Sequence, residues 1–497
     1  MVAESVVWTD LRKIPHAGLP MFTHRIIAAP LLALVLVASS PLPTADAKRD
    51  VILSIDKQSP DLIKLSDQIW GFAETALRES KSSALLAAHA EQHGFKVTRG
   101  IAGMPTAFTA EFGSGAPIIG IMGEYDALPG ISQKVATTKE PHVEGAAGHG
   151  CGHNLFGAAS LGAAIAVKEQ IASGAIKGTI RFYGTPAEES VGGKVYMARD
   201  GAFKDVDVML VWHPSDETVA DVRSSQAIID FVVEFRGRTA HAAADPWNAR
   251  SAADAAEAFT HGVNLLREHV RPSVRMHYTV QRAGDVPNVV PDYAKVWMWV
   301  RDTKSTGAEA VLERVKQIAA GAGQIAGVES KLTVQAGDYE ILVNYTGARL
   351  LHENMTALGP IQYSQQEQDF AKAIQRSTGT PEHGLNGELR PLDPPGLPPD
   401  GGSTDVGDVS WLVPTLHFSV TTGAREAPWH AWPTVATSGM SIGHKGMVHA
   451  AKVMAMTAID LFNDPTKRSE IRAEFAEQTK GFVYKPYIPG GPPPIPR

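Results

Sequence analysis

Short apolar segments alternate with helical segments over much of this chain, and this alternation constrains its fold more than any other feature. Residues 118–122, 179–183 and 208–212 are each apolar and long enough for one buried strand. Segments with helical spacing lie between them. This alternation predicts a mostly parallel sheet covered by helices on both faces. We therefore expect an α/β fold.

A different pattern begins near Ser224. Apolar residues alternate along strand-like segments that are interrupted twice by a helical face, in the order strand–helix–strand–strand–helix–strand. This order is the ferredoxin-like (βαββαβ) arrangement. It predicts a small domain over residues 224–338, inserted into a larger domain made of residues 48–223 and 339–482. Residues 379–402 read as a long surface loop, and residues 483–497 as a proline-rich tail that is extended or disordered.

The amino-terminal segment has the pattern of a secretory signal. Arg25 precedes an apolar stretch at residues 26–39, and Ala45-Asp46-Ala47 has the small-x-small form of a signal-peptidase site. We expect residues 1–47 to be a signal peptide, with Met21 as a possible true start and an uncleaved anchor as the alternative. The mature chain would then be exported, to the periplasm, with no stable membrane span.

Charge and cysteine content exclude two further classes. The formal net charge is -7, whereas nucleic-acid-binding proteins usually carry an excess of basic residues, so we expect no nucleic-acid partner. The chain has 1 cysteine, which excludes an intramolecular disulfide framework.

That cysteine, Cys151, lies in a glycine-rich run between His149 and His153. A thiolate and an imidazole two positions apart can both reach a borderline-soft metal such as zinc. The alternative is a small buried hydrophobic side chain, which is the usual role of a lone cysteine.

Further candidates follow the predicted strands, where ligands of open parallel sheets bind. Glu188 and Glu189 follow residues 179–183, and one could bind a metal while the other moves a proton. A solvated acidic pair is the alternative. His213 ends residues 208–212, either as a ligand or as a histidine satisfied by backbone groups.

Three more residues complete the set of candidates. Glu124 and Asp126 follow residues 118–122. Asp126 could be a ligand, a residue that orients a ligand or a turn former, and we favour the second. His430 lies between two tryptophans, where it could bind metal or belong to an aromatic cluster that stabilises a loop.

Four motifs, taken together, resemble the amidohydrolase branch of the aminoacylase/carboxypeptidase-type metallohydrolase family. The resemblance spans about residues 62–462, and its motifs are residues 123–129, 148–155, 402–411 and 444–447. It implies two divalent metal ions, zinc or manganese, with Cys151 in the bridging position. The metal ligands that it implies are Cys151, His153, Glu189, His213 and His430.

The resemblance also implies the remaining roles. Glu188 matches the general base, and Asn288 matches a residue of the inserted domain that helps to hold the substrate. His241 matches a histidine that reaches into the active site of a partner chain and stabilises the oxyanion, so the inserted domain would be a lid and a dimerisation domain. We therefore expect a homodimer, and some members of this branch also work with an A-type partner subunit.

The activity implied is hydrolysis of a small-molecule amide, through a water activated by two metals with a glutamate as base. N-acyl or N-aroyl amino acids, such as p-aminobenzoyl-glutamate, are the expected substrates. A dipeptidase or carboxypeptidase of the same family is the first alternative. A non-catalytic exported binding protein is the second.

Overall fold

The computed structural model describes residues 44–399 and 401–496, so most of the predicted signal peptide lies outside the described residues. Residues 44–47 form the first turn of helix α1 (Thr44–Phe72), and Ala47 is fully buried there. Cleavage after Ala47 would therefore fall within this helical turn. Export, cleavage and the start at Met21 stay predictions.

The other secondary-structure elements follow in chain order. The helices are α2 (Ser80–Gln92), α3 (His153–Ala172), α4 (Gly193–Arg199), α5 (Ala252–Leu266), α6 (Ser305–Ala326), α7 (Tyr345–Leu358), α8 (Gln365–Thr378), α9 (Val406–Ser410), α10 (Trp432–Ser438), α11 (Ser441–Asn463) and α12 (Pro465–Gln478). The strands are β1 (Lys96–Arg99), β2 (Phe108–Gly113), β3 (Ile118–Gly123), β4 (Thr179–Gly184), β5 (Val208–Ser215), β6 (Val219–Ala220), β7 (Ala227–Arg236), β8 (Arg275–Arg282), β9 (Tyr293–Asp302), β10 (Glu329–Asp338) and β11 (Thr415–Thr421).

The larger of the two sheets that the described residues form has seven strands in the order β1-β2-β4-β3-β5-β11-β6. Its centre, β4-β3-β5-β11, is parallel, and the outer strands β1, β2 and β6 pair antiparallel. The predicted α/β fold is therefore confirmed. The sequence analysis did not identify β1 and β2. Strand β1 has four mostly exposed residues and therefore carries no apolar signal.

Helix α3 lies in the core and packs against β3, α1 and α11. By length and composition it could cross a membrane, with a mean hydropathy of 1.2, but 78% of that window is buried inside the protein. A helix that is apolar on all sides is typical of a protein core. Its burial fixes the position of its first residue, His153, in the fold.

The smaller sheet is antiparallel throughout, with the strand order β10-β7-β9-β8. Together with α5 and α6 it follows the βαββαβ order that the sequence predicts. Helices α5 and α6 cover one face, and the core between sheet and helices includes the fully buried Phe231, Phe235 and Phe259. The strands begin at Ala227 and end at Asp338.

Two segments that the sequence predicts to be irregular contain no helix or strand where they are described. The first is the loop at residues 379–399 and 401–402. The second is the tail at residues 483–496, which is mostly exposed but has Tyr487 and Pro493 buried. Tyr487 stacks on Tyr339 with ring centroids 4.9 Å apart, and the Tyr484 hydroxyl donates a 2.7 Å hydrogen bond to Asp408.

Candidate metal centre

The candidate site lies at the carboxyl edge of the parallel strands, as expected for an α/β sheet. Glu124 and Asp126 follow β3, and Glu188 and Glu189 follow β4. His213 lies within β5 rather than at its end, because β5 extends further than the apolar residues that predict it. The polar groups of three neighbouring strands therefore meet at one edge.

The cysteine motif reaches the same edge at the beginning of α3. Cys151 precedes α3, and His153 is its first residue. Gly152, between them, has a left-handed φ of 76°, and a Cβ at this position would lie 2.9 Å from the side chain of Pro214. Glycine is therefore required where the chain turns between the two candidate ligands.

The structure brings all five predicted metal ligands together in two groups. Cys151, His153 and His213 form one, and Cys151, Glu189 and His430 form the other; within each group the candidate ligand atoms lie within 4.8 Å of one another. The Cys151 sulfur lies 3.4 Å from Nε2 of His213, and Nε2 of His430 lies 3.5 Å from Oε2 of Glu189. The Cys151 sulfur is the candidate ligand atom that the two groups share.

A hydrogen bond to the backbone determines which ring nitrogen of His213 is available to bind a metal. Nδ1 lies 2.7 Å from the backbone carbonyl of Pro214, so Nδ1 carries the proton and donates it. Nε2 is then left with a lone pair, and it faces the Cys151 sulfur. This is the tautomer that binds a metal through Nε2.

His430 is positioned by backbone contacts on the loop between β11 and α10. Its side chain is 57% exposed, and its φ of 52° is left-handed, which is unusual for a residue with a side chain. Its N–H donates a 3.0 Å hydrogen bond to the carbonyl of Gly150. The loop is therefore tied directly to the cysteine motif.

Asp126 connects two of the candidate ligands. Its Oδ1 lies 3.0 Å from Nδ1 of His153, and its Oδ2 accepts a 2.9 Å hydrogen bond from the N–H of Glu189. Of the three roles considered for Asp126, these contacts favour orientation of ligands. A carboxylate in this position fixes the orientation of the histidine ring.

A buried lysine, which the sequence analysis did not identify, forms ion pairs with two acidic residues near the candidate ligands. Lys194 is fully buried, and its Nζ lies 2.5 Å from Glu124 and 2.6 Å from Asp405. Glu124 in turn lies 3.0 Å from Nε2 of His153. In the sequence, Lys194 follows two glycines and reads as a surface residue. In the sequence, only the nearness of Lys194 to Glu188 and Glu189 pointed to a role at the site. Its burial could not be predicted, because burial depends on tertiary packing.

Burial and neighbouring charges raise the pKa values of Cys151 and Glu189. Burial, with the charge of Glu189 as a smaller cause, raises the pKa of the Cys151 thiol. Burial also raises the pKa of Glu189 to about 7, opposed by His153 and assisted by Asp126. These groups would be partly or fully protonated at neutral pH without a cation nearby.

The chemistry of the site fits divalent cations. Oε1 of Glu189 is buried and has no hydrogen-bond partner among the described residues. The two groups together offer sulfur, imidazole nitrogen and carboxylate oxygen, a set that suits zinc and neighbouring divalent metals. A bound cation would neutralise the carboxylates and give the unpartnered oxygen a ligand.

His241 and Asn288 lie close to each other on the inserted domain. Both are exposed on the inserted domain, and the N–H of Ala242 donates a 3.0 Å hydrogen bond to the carbonyl of Asn288. Nδ1 of His241 accepts bonds from the N–H groups of Ala243 and Ala244, which leaves Nε2 as the donor. Among the described residues, no hydrogen bond or ion pair joins either side chain to the candidate ligands.

We predict that Lys194→Met lowers the free energy of unfolding by about 3–5 kcal/mol, because it leaves two buried carboxylates without their cation. Thermal or denaturant unfolding measures this loss. The double variant Lys194→Met/Asp405→Asn should recover part of it. Lys204→Met, at an exposed position, is the matched control, and a loss no larger than that of the control would contradict the buried network.

We predict that metal affinity rises with pH because the Cys151 thiol must lose its proton to bind. Between pH 7.5 and 8.5, where Glu189 is already mostly ionised, release of the Cys151 thiol proton contributes a factor of about ten in affinity per pH unit, in addition to the proton that Glu188 releases when a cation binds nearby. Competition with a chelating indicator measures the slope. Cys151→Asp, whose carboxyl group ordinarily ionises near about pH 4, should bind with a slope lower by about one proton, and equal slopes would contradict a thiol ligand.

Comparison with known proteins gives the same assignment as the motifs. The sequence model of "Peptidase family M20/M25/M40" matches residues 120–331. The B-type subunit of p-aminobenzoyl-glutamate hydrolase from Escherichia coli K12 is 36% identical over 460 residues, which cover 87% of this chain and 95% of that protein. The motifs at residues 123–129, 148–155, 402–411 and 444–447 also indicate this B-type subunit among the members of the family.

Two further proteins extend the comparison. The Xaa-Arg dipeptidase of Mus musculus is 28% identical over 443 residues, covering 86% of this chain and 92% of that protein. The crystal structure of a dinuclear metal-binding peptidase of the M20 family from Bacillus subtilis has the same fold, with a TM-score of 0.57 and 19% identity, covering 82% of this chain and 99% of that chain. The chain therefore belongs to peptidase family M20/M25/M40 and is a hydrolase of amide or peptide bonds.

Proposed function

We propose that this protein is a metal-dependent amidohydrolase that cleaves the amide bond of an N-acyl or N-aroyl amino acid, with p-aminobenzoyl-glutamate as the leading candidate. One observation carries the proposal. Glu188 lies beside two groups of ligands that share the Cys151 sulfur. The 36% identity with the B-type subunit of p-aminobenzoyl-glutamate hydrolase supports the choice of substrate.

In this proposal the site holds two divalent ions, zinc or manganese. His153 and His213 would hold one ion, Glu189 and His430 the other, and Cys151 both. Such ions polarise a carbonyl group and lower the pKa of water. The B. subtilis peptidase of the same fold is described as dinuclear, which supports the count of two.

Glu188 is the proposed general base. It lies with Glu124 and His153 in a third group whose candidate ligand atoms are within 4.8 Å of one another. Burial, with the charges of Glu124 and Glu189, raises the pKa of Glu188 well above its ordinary value. A group of high proton affinity that is ionised by nearby positive charge can take a proton from the attacking water and deliver it to the departing nitrogen.

His241 would supply the oxyanion donor to a partner chain, in a homodimer formed through the inserted domain. The exposed position of His241 on this domain, with Nε2 left as the donor, supports a role outside its own cluster. A positioned donor of this kind typically contributes about 10²–10³ in rate. Asn288, which lies beside His241, would hold the substrate.

The remaining assignments are proposals of the same kind. Residues 48–223 and 339–482 would form the catalytic domain and residues 224–338 the lid, and the boundaries of β7 and β10 support the limits of the lid. We also propose that the protein works in the periplasm after export. An A-type partner subunit is suggested by the name of the E. coli relative, which is a B-type subunit.

A dipeptidase is the second candidate, because the mouse Xaa-Arg dipeptidase covers nearly the same length of chain. A non-catalytic binding protein is disfavoured, since such a protein has no use for Glu188 beside the ligand Glu189. Release of amine from p-aminobenzoyl-glutamate, hippurate and dipeptides by the metal-loaded protein separates these candidates. A strong preference for Xaa-Arg dipeptides would favour the dipeptidase.

We predict that Glu188→Gln lowers kcat on the preferred substrate by about 10²–10⁴, because it removes the proton acceptor. Metal content, measured by elemental analysis, should not change. Glu144→Gln, at an exposed position in the loop before the cysteine motif, is the matched control and should keep full activity. Near-normal turnover by Glu188→Gln would overturn the mechanism.

A further inference from the structure

The residue before the two catalytic-site glutamates has an unfavourable backbone conformation. Ala187 has a φ of 64°, in the left-handed region that residues with a Cβ rarely adopt. It is fully buried, and Glu188 and Glu189 follow it directly. The direction in which both carboxylates leave the backbone therefore depends on this one conformation. Such a conformation persists only where the surrounding structure holds it.

A buried carboxyl group, that of Glu79, holds it. Glu79 is fully buried at the beginning of α2, and its Oε1 accepts a 3.0 Å hydrogen bond from the N–H of Ala187. The same oxygen accepts a 2.9 Å bond from the N–H of Leu77. Leu77 is also left-handed, with a φ of 60°. One oxygen thus fixes two strained residues in distant parts of the chain.

Further hydrogen bonds hold the loop at residues 187–192, which contains Glu188 and Glu189. The carbonyl of Ala187 accepts a 3.0 Å bond from the N–H of Gly192, which closes the loop that contains both glutamates. The N–H of Glu189 donates to Asp126. The loop is therefore held on one side by Glu79 and on the other by Asp126, and only Asp126 contacts a candidate metal ligand directly.

We propose that Glu79 is a positioning residue for the reaction: its Oε1 holds Ala187 in the left-handed conformation that presents Glu188 as base and Glu189 as metal ligand. This inference rests on the proposed function. Without the shared acceptor, Ala187 would relax to an ordinary conformation, and both carboxylates would turn away from the other ligands.

The geometry requires an acceptor atom at this position rather than a charge. Both donors are backbone N–H groups, which a neutral carbonyl oxygen satisfies as well as a carboxylate does. Burial, with the charge of Asp126, raises the pKa of Glu79 to about 8, so the neutral form already predominates at pH 7. A glutamine can keep Oε1 in place, and its amide would replace Oε2, which lies near the Thr106 hydroxyl and has no hydrogen-bond partner among the described residues. An aspartate keeps the acid but is too short to reach both N–H groups.

The test compares Glu79→Gln, Glu79→Asp and Glu79→Asp/Ala187→Gly in the full-length protein. We expect Glu79→Gln to keep kcat and zinc affinity within about threefold of the wild type. Glu79→Asp should lower kcat and the zinc affinity of the metal-free protein at least tenfold each, with KM nearly unchanged; tenfold in affinity corresponds to about 1.4 kcal/mol. Glycine at position 187 adopts the left-handed conformation freely, so the double variant should recover most of both losses.

Hydrogen–deuterium exchange adds a readout that needs neither metal nor substrate. In the metal-free protein, Glu79→Asp should speed exchange of the peptide 186–193 at least tenfold, and Glu79→Gln should not. The matched control is Glu74→Gln, because Glu74 also accepts backbone bonds at the beginning of α2, from Lys81 and Ser82. It should affect thermal stability alone.

Three outcomes would overturn the proposal. In the first, Glu79→Asp retains the wild-type zinc affinity and the wild-type exchange rate of peptide 186–193. In the second, Glu79→Gln loses as much kcat and zinc affinity as Glu79→Asp does. In the third, the double variant Glu79→Asp/Ala187→Gly recovers neither kcat nor zinc affinity. Failure of the proposed function is distinct from these. In that case the wild type itself binds no zinc and cleaves no substrate, while the exchange rates of peptide 186–193 still decide whether Glu79 holds the loop.

Discussion

The Asp126 carboxylate is the contact on which the site depends. One of its oxygens fixes the His153 ring and the other fixes the backbone of Glu189, at 3.0 Å and 2.9 Å. These two residues belong to different ligand groups and to different elements of the fold, the beginning of α3 and the loop after β4. Asp126, which follows β3, therefore links the two groups directly.

The cost of this arrangement is the burial of like charges. Glu124, Glu188, Glu189 and Asp405 lie close together, and burial and mutual repulsion raise the pKa of Glu188, Glu189 and Asp405. Lys194 compensates Glu124 and Asp405 directly. Among the described residues, neither Glu188 nor Glu189 forms a direct ion pair with a lysine or arginine, although the charges of Lys194 and Glu188 interact and His430 lies 3.5 Å from Glu189. Divalent ions between these side chains would supply the missing positive charge, which explains why a folded protein can hold so many acids at one edge of a sheet.

The sequence predicts the elements whose signal is local. The parallel strands β3, β4 and β5 are apolar runs, and the βαββαβ domain shows alternation that burial of one sheet face requires. The candidate ligands follow from position, since the carboxyl ends of neighbouring parallel strands converge. Glu79 and Lys194 could not be predicted in this way. Both look like surface residues in the sequence, and their roles arise from burial against segments that are far away in the chain.

The central claim is that Cys151 joins two metal ions in one hydrolytic site. A crystal structure of the zinc-loaded protein, with anomalous scattering measured at the zinc edge, tests it most directly. The account predicts two zinc peaks in each chain, both at about 2.3 Å from the Cys151 sulfur. One peak would lie beside His153 and His213, and the other beside Glu189 and His430. A Cys151 sulfur without a metal neighbour in fully loaded crystals would contradict it.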